Sequence, residues 1–214
     1  MAVSVLRDYY GIATTTTTSL SLTIPATAQA GDMLVLFAAG AFSSSVPSGW
    51  TSLGSPTNIS NANGMTLFRT ARSGDAGTTV TVTFSGSSRG DGAILVVTGP
   101  FPSICHARSL SSSSGSSGTL VSSSFTFSSL SILFVMVARA SGTITLNRGT
   151  TLDMRAADTV VSSILATENL AADDPTHTVT FSTSPSGTTG YYASQVCLAL
   201  SGSGGSATHY PRWG

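Results

Sequence analysis

Hydrophobic residues follow two patterns along this chain. Over 20–24 and 79–84, apolar residues alternate with serine or threonine, and a period of two gives a β-strand one apolar and one polar face. Over 33–39, 94–97 and 130–138 the apolar residues are almost unbroken, which is typical of short strands buried on both faces. Helical signals are scarce, so the chain is predicted to be all-β.

The stretch 78–99 combines the two patterns. Its alternating first part and its apolar last part are separated by 85–92, which are rich in glycine and small polar residues. Such a segment is typical of a reversing chain, so the stretch is predicted to form an antiparallel hairpin. A near copy of this stretch follows at 176–202.

The similarity between the two stretches extends to an internal repeat with a nearly constant offset. The matching pairs are Leu34 with Leu133, Asp75 with Asp173, and Phe84 with Phe181, which lie 99, 98 and 97 residues apart. Either two tandem domains of about 100 residues or two halves of one sandwich would explain it. A lone half would leave a wide apolar face in water, so we favour one antiparallel two-sheet sandwich, jelly-roll-like, with pseudo-duplicated halves. This interpretation requires Val82 and Phe84 to share one core with Val179 and Phe181.

The domain boundaries follow from changes in composition. Residues 109–118 are a Ser/Gly run and form the strongest boundary signal inside the chain, while 1–13 hold apolar residues without a clear period. The predicted organisation is an N-terminal arm over 1–13, a single β-sandwich domain over 14–202 with pseudo-repeats over about 14–100 and 119–202, and a C-terminal arm over 203–214.

Charge is sparse and balanced. Charged residues make up 8% of the chain, and nine basic residues, all arginine, balance nine acids to a net charge of zero. Nucleic acids and anionic membranes need a concentrated basic field, so neither is expected as a partner. No apolar run approaches the roughly 18 residues of a membrane-spanning helix, so no membrane insertion is expected. A net charge near zero gives little electrostatic repulsion between copies, which favours association. We therefore expect the protein to be part of an assembly, as a homo-oligomer.

No motif predicts catalysis, a metal or a cofactor. His106, His177 and His209 form no HxH, HExxH or CxxC-like spacing. A GxSxG string over 86–90 lies between two predicted strands, whereas a nucleophile elbow needs a helix after it. Asp173 and Asp174 precede a proline and are interpreted as turn formers. The protein is therefore not expected to be an enzyme.

An RGD sequence over Arg89–Asp91 occupies the predicted hairpin tip. Glycine supplies a positive φ in such turns and aspartate supports them, so we interpret it as turn chemistry rather than integrin binding. The two cysteines, Cys105 and Cys197, are too few for a disulfide framework. Two free thiols, with Cys197 packed as a small apolar residue, are the favoured interpretation, and a single bridge stays open.

Aromatic residues supply the candidate binding surfaces. Trp50, Tyr191 and Tyr192 are candidates for stacking on a glycan, although a tryptophan after a Pro-Ser-Gly turn also suits the lid of a sandwich core. The C-terminal arm is composed like a flexible linker and would bury too little by itself to offset its ordering entropy. Its Tyr210, Pro211 and Trp213 are therefore predicted to bind a neighbouring subunit.

The order of these features resembles a loose family of phage-associated β-sandwich proteins found among minor tail and virion-surface proteins. The resembling residues are Gly31 and Asp32 before the 33–39 run, Pro47, Gly49 and Trp50 after it, and Arg69, Ala71, Gly74 and Asp75 before the 79–84 strand. The resemblance covers roughly 14–202 and consists of turn and core signatures, so no catalytic residues transfer.

The resemblance implies a non-enzymatic structural protein on the surface of a bacteriophage virion, either a capsid decoration or minor capsid protein or a minor tail protein. Its expected partners are other capsid or tail subunits, to which its N- and C-terminal arms would bind. Since the N-terminus lacks the features of a secretory signal, synthesis in the host cytoplasm is expected. The alternative is a carbohydrate-binding module that recognises a host surface glycan.

Overall fold

The structure is a computed structural model that describes residues 6–40, 45–53, 57–59, 62–98, 103–111, 117–121, 131–139, 143–147, 150–157, 161–170, 178–184 and 191–199. Within these residues every regular element is a β-strand, and all strand pairs are antiparallel. The predicted all-β antiparallel class is therefore confirmed. A helix long and apolar enough to cross a membrane does not occur in this part of the chain.

The described part of the first half forms one sheet. Its strands are β1 (Leu6–Thr23), β2 (Met33–Gly40), β3 (Thr51–Ser52), β4 (Thr57–Ile59), β5 (Ala62–Thr70) and β6 (Thr79–Val97). They form a six-stranded sheet in the order β1-β6-β2-β5-β3, and β4 also pairs with β5.

The described part of the second half forms two sheets. Its strands are β7 (Ser103–Ser111), β8 (Ser117–Val121), β9 (Ser131–Arg139), β10 (Thr143–Leu146), β11 (Thr150–Ala157), β12 (Val161–Leu170), β13 (Thr178–Ser184) and β14 (Tyr191–Ala199). A five-stranded sheet has the order β11-β12-β9-β14-β7, and a three-stranded sheet has the order β10-β13-β8. Each of the three sheets thus takes its strands from one half of the chain.

The hairpin predicted over 78–99 is wrong. β6 is a single strand of 19 residues, and β1 runs beside it from Thr23 opposite Thr79 to Leu6 opposite Val97. The pairing shifts register near the middle of the ribbon, around Thr17, where β6 passes through its glycine-rich part. Residues 85–92 therefore bend a continuing strand and do not reverse it.

The glycines of this bend provide space for neighbouring side chains. A Cβ atom on Gly92 would lie 2.6 Å from Leu20 Cδ2 and 2.8 Å from the Phe37 carbonyl oxygen. A Cβ atom on Gly90 would lie 3.1 Å from Phe84 Cε2. Neither glycine has a positive φ, in contrast to the turn glycines of the first half. The bend thus lets the first part of β6 fold closely over the face of its own sheet.

The near copy at 176–202 is not a hairpin either. β13 pairs with β8 and β10 in the three-stranded sheet, whereas β14 pairs with β9 and β7 in the five-stranded sheet. The two strands predicted to form the second hairpin therefore belong to different sheets.

Residues of β2 alternate between two hydrophobic clusters. Val35 and Phe37 belong to one cluster and Leu34 and Leu36 to the other, so the clusters occupy opposite faces of the six-stranded sheet. The first cluster, called here the inter-sheet core, also contains three residues of the five-stranded sheet: Leu165, Val196 and Leu198. The two larger sheets therefore pack face to face.

The second cluster, called here the first-half core, takes its members from the first half alone among the residues described. The alternating apolar residues of β6, including Val82 and Phe84, lie in it, and their counterparts on β1 cover the same face. The side chains of Val179 and Phe181, expected to share this core, lie outside the described part of the structure. The first half thus has a hydrophobic core of its own in addition to the inter-sheet core.

Residues 6–13, predicted to belong to an N-terminal arm, form the first part of β1. Their unclear periodicity has a physical reason, because Leu6 and Tyr9 pack against the inter-sheet core while Tyr10 packs against the first-half core. The Ser/Gly run over 109–118 ends β7 and begins β8, with 112–116 outside the described residues. The predicted C-terminal arm over 203–214 also lies outside them.

Candidate functional site

The best-defined polar cluster of the described chain surrounds Trp50, just before β3. The Trp50 N–H donates a hydrogen bond to the Pro47 carbonyl oxygen at 3.2 Å, and Gly49 between them has a φ of 81°. A positive φ favours glycine, so the Pro-Ser-Gly-Trp sequence suits this tight turn. The turn places the indole ring in the first-half core, where the residue is 8% exposed.

Arg69, near the end of β5, lies between an aromatic ring and a carboxylate. Its guanidinium carbon is 5.1 Å from the centroid of the Trp50 ring, within the range of a cation–π interaction. Its Nη1 atom donates a hydrogen bond to Asp75 Oδ2 at 2.7 Å, and the two side chains are 13% and 16% exposed. The three residues are called here the Trp50–Arg69–Asp75 cluster.

Asp75 holds the turn that joins β5 to β6. Besides binding Arg69, its Oδ2 atom accepts a hydrogen bond from the Arg72 backbone N–H at 2.5 Å, while its carbonyl oxygen accepts one from Thr78 Oγ1 at 2.6 Å. Gly74, directly before it, has a φ of 89°. Partial burial raises the pKa of Asp75, but the hydrogen bonds from Arg69 and Arg72 and the charges of both arginines outweigh burial and lower its pKa below 3.8.

The turn before β2 joins the same region through its backbone. Asp32 is 4% exposed, and its Oδ2 atom accepts a hydrogen bond from the Gln29 N–H at 2.8 Å. Its carbonyl oxygen accepts one from the Ala71 N–H at 2.8 Å, and Gly31 N–H donates to the Ala71 carbonyl oxygen at 2.9 Å. Ala71 thus connects this turn to Arg69 and Asp75.

The cluster is chemically suited to fixing turns. Its carboxylate is held ionised by a lowered pKa, whereas a general acid near neutral pH needs a raised one. Its guanidinium is directed to the Asp75 carboxylate and covered by the Trp50 ring. The sequence pattern names these residues singly, and only the fold shows that Arg69 links the other two.

A second polar contact was not suggested by any motif. Thr66 on β5 and Ser194 on β14 lie in the interface of the two larger sheets, with their hydroxyl oxygens 2.6 Å apart and both residues buried. The two residues are 128 positions apart in the chain. Serine and threonine are so abundant here that no local signal distinguishes this pair, which aligns the two sheets by a directional contact within an apolar interface.

Among the glycan candidates, the structure describes the side chain of Trp50. Trp50 offers little ring area to a sugar, because it is 8% exposed and lies against Arg69. It belongs to the first-half core, on the face of the six-stranded sheet away from β14. Tyr191 and Tyr192 begin β14, opposite Arg139 and Ala138 of β9, and their side chains lie outside the described part.

The RGD sequence lies inside β6 and not at a hairpin tip. Asp91 is 1% exposed and stands opposite Ala13 of β1 and Ala39 of β2, so it occupies a central strand. The predicted turn is therefore wrong, and so is the tip location given to the GxSxG string over 86–90, which lies in the same strand. Burial of Asp91 also leaves this carboxylate inaccessible to a receptor.

Several candidate residues lie outside the described part of the chain: Tyr210, Pro211, Trp213, His177, His209, Asp173 and Asp174. Among the residues that are described, no group of three or more His, Cys, Asp or Glu could hold a metal ion.

Comparison of the chain with models of known protein families, with curated proteins and with solved structures found no match. The functional argument therefore depends on the residues of this chain and on their arrangement. The most informative arrangement is the convergence of the three turn motifs on the Trp50–Arg69–Asp75 cluster and Ala71.

Proposed function

We propose that this chain is a non-enzymatic structural protein of a bacteriophage virion, displayed on the particle surface as a capsid decoration, minor capsid or minor tail protein. One observation carries the proposal: the residues that resemble phage surface proteins converge in space. The turn at Gly31, the turn at Trp50 and the Arg69–Asp75 pair form one connected cluster. Mutual contacts between the matching turns are what a shared fold signature requires, so they support the resemblance.

The described surface also suits a subunit in an assembly. Thr79, Thr81 and Thr83 are exposed along β6 while the residues between them are buried. Hydroxyl groups can pack against a neighbour without the repulsion that a surface of one charge would bring. The net charge of zero acts in the same direction, because it weakens repulsion between copies.

We further propose that the chain is duplicated. The two larger sheets contain the orders β1-β6-β2-β5 and β7-β14-β9-β12, and in both the first strand of the half pairs with its last strand, which pairs in turn with an earlier strand of the same half. The pairing of β8 with β13 then corresponds to the pairing of 19–23 in β1 with 79–83 in β6. In this proposal the three-stranded sheet of the second half and the paired segments 19–23 and 79–83 of the first half are equivalent covering layers, which is a jelly-roll-like arrangement.

The partners in this proposal are other virion subunits, including further copies of this chain. Residues 6–13 belong to β1 and pair with β6. We therefore assign the contact with a neighbouring subunit to the C-terminal arm, with its Tyr210, Pro211 and Trp213. Two aromatic rings and a proline can fill a pocket of a neighbouring subunit at a small cost in side-chain entropy.

Locating the chain on particles tests the proposal. Particles of the phage that encodes the chain are purified on a density gradient, and gold-labelled antibodies against the chain are viewed by electron microscopy. We expect the chain to sediment with the particles and the label to lie at the head or the tail. A chain found only in the soluble fraction, with particles of unchanged composition when its gene is deleted, would reject a virion role.

A truncation tests the arm separately. Removal of residues 203–214 is expected to leave the melting temperature of the isolated chain unchanged and to prevent its incorporation into particles. The control is Thr70→Ala, at an exposed position at the end of β5, which should be incorporated as the wild type is. Normal incorporation of the truncated chain would show that the arm is not the attachment.

Binding of the wild type to host surface glycan, lost on Tyr191→Ala, would favour the carbohydrate-binding module instead.

A further inference from the structure

The only two cysteines of the chain stand directly opposite each other on neighbouring strands. Cys105 of β7 pairs with Cys197 of β14 in an antiparallel register, although residues 106–196 separate them in sequence. The register continues without a shift from Ser103 opposite Ala199 to Ser111 opposite Tyr191. The facing position of the cysteines therefore belongs to a regular ladder of nine consecutive pairs.

Strand alternation places both cysteines on the same face. Val196 and Leu198 of β14 belong to the inter-sheet core, so residue 197 lies on the other face of the five-stranded sheet. On β7, Ile104 packs against the inter-sheet core, so residue 105 also lies on the other face. The two cysteines thus share both a register position and a face.

We propose that Cys105 and Cys197 form a disulfide bond that ties β7 to β14. Residues directly opposite in an antiparallel pair have Cα atoms about 4.5 or 5.5 Å apart. Disulfides usually join Cα atoms about 4.4–6.8 Å apart, so the spacing of directly opposite residues lies within the range of the bond. Among the described strands, β7 lies at one edge of the five-stranded sheet beside β14, so the bond fastens an edge to the interior of the sheet.

The bond forms by exchange with a low-molecular-weight disulfide such as oxidised glutathione. The thiolate of one cysteine attacks the small disulfide, forms a mixed disulfide and releases one small thiol. The thiolate of the second cysteine then attacks the protein sulfur of that mixed disulfide and releases the second small thiol. The protein loses two electrons and two protons, and the small disulfide gains them.

The redox state of the surroundings therefore sets the stability of the chain. Reducing cytoplasm keeps the thiols free, and an oxidising exterior closes the bond. The closed loop of about 90 residues restricts the unfolded chain, so we expect oxidation to raise the melting temperature by roughly 5–15 °C. A reductant is expected to reverse the shift.

Peptide mapping of the purified full chain tests the bond directly. After incubation with oxidised glutathione, the chain is denatured without reductant and cleaved by trypsin at its arginines. We expect peptide 90–108, with Cys105, to appear linked to peptide 156–212, with Cys197, and to separate on reduction. Alkylation of both cysteines by iodoacetamide after oxidation, or linkage between two different chains, would overturn the proposal.

A matched variant tests the register. Combining Cys105→Ala with Ala107→Cys keeps two thiols on one face but moves one of them opposite Gln195. Diagonal neighbours lie about 7–8 Å apart, at or beyond the limit of a disulfide, so this variant should stay reduced and should melt equally with and without reductant. Equal cross-linking of this variant and the wild type would show that the register does not determine the bond. If the variant does not fold, the peptide mapping of the wild type still tests the disulfide bond.

Discussion

Two glycine-containing regions of the first half look alike in sequence and differ in structure. Around Trp50 and Asp75 the chain turns sharply, and Gly49 and Gly74 have φ values of 81° and 89°. In β6 the chain continues through its glycines, and a Cβ atom on Gly92 would lie 2.6 Å from a carbon of Leu20. In the first region glycine allows a positive φ, and in the second it lets neighbouring side chains and backbone pack closely against the strand.

The difference teaches how a glycine-rich segment between two strands should be interpreted. A turn is supported by local partners, as the Asp75 carboxylate and the neighbouring backbone N–H of Arg72 show. A bend is supported by distant partners, as the contacts of Gly92 with Leu20 and Phe37 show. Residues within a few positions of a glycine therefore indicate a turn better than the number of glycines does.

The largest expected effect comes from removing the ring that anchors the turn cluster. Trp50→Ala deletes a buried indole and uncovers the Arg69 guanidinium, so we expect a loss of about 3–5 kcal/mol in the free energy of unfolding. Urea titration followed by circular dichroism measures it. Trp50→Phe keeps an aromatic ring and should lose clearly less. Equal losses for the two variants would show that an aromatic ring at this position does not by itself stabilise the cluster.

Gly92→Ala tests whether the β6 bend depends on space. The added methyl group would meet Leu20 and the carbonyl oxygen of Phe37, and backbone cannot move aside as a side chain can. We expect a loss of roughly 1–3 kcal/mol in unfolding free energy, typical of overpacking. Thr81→Ala, at an exposed position of the same strand, is the control and should stay near the wild type. An unchanged melting curve for Gly92→Ala would remove the close-approach explanation.

Gly74→Ala tests the other function of glycine. No atom lies within 4 Å of an added Cβ atom, so the cost is conformational and comes from the positive φ alone. We expect about 1–2 kcal/mol in unfolding free energy. Gly74→Asn should lose less, because asparagine tolerates the left-handed region. If alanine and asparagine have the same effect, φ is not the reason for glycine at this position.

The smallest effect is expected from the charge of Asp75, and it depends on pH. Because the pKa is lowered in the folded chain, its stabilisation is complete above the ordinary value of 3.8 and is lost as pH falls below that value through the lowered pKa. Asp75→Asn should remove about 1 kcal/mol at neutral pH. Thermal unfolding between about pH 5 and pH 2 should then show a smaller acid loss in the variant than in the wild type. Parallel acid profiles for the two proteins would contradict this assignment.

The sequence predicts the strands better than it predicts their partners. The unbroken run over 33–39 became β2, which is buried on both faces, and the alternation over 79–84 has its threonines outside and its apolar residues inside. These outcomes depend on local periodicity alone. The course of β6 could not be predicted, because Leu20 and Phe37 decide it from distant positions in the sequence.

The same limit applies to the candidate site. Trp50, Arg69 and Asp75 stand out as members of turn signatures, but their mutual contacts depend on the pairing of β3 with β5. The contact between Thr66 and Ser194 depends on how two sheets pack, which strand periodicity does not specify. The sequence left Trp50 open between a core lid and a glycan surface, and the packing of the first-half core decides for burial.

Each sheet in the described part of the chain takes its strands from one half. During translation, all strands of the six-stranded sheet are therefore synthesised before the second half. That sheet closes when β6, the last strand of its half, pairs with β1, the first. The face of this sheet with Val35, Phe37 and Leu95 stays uncovered until Val196 and Leu198 are synthesised and complete the inter-sheet core. At the usual pace of synthesis this interval lasts roughly 5–20 s, and the exposed apolar face makes the nascent chain prone to aggregation during it.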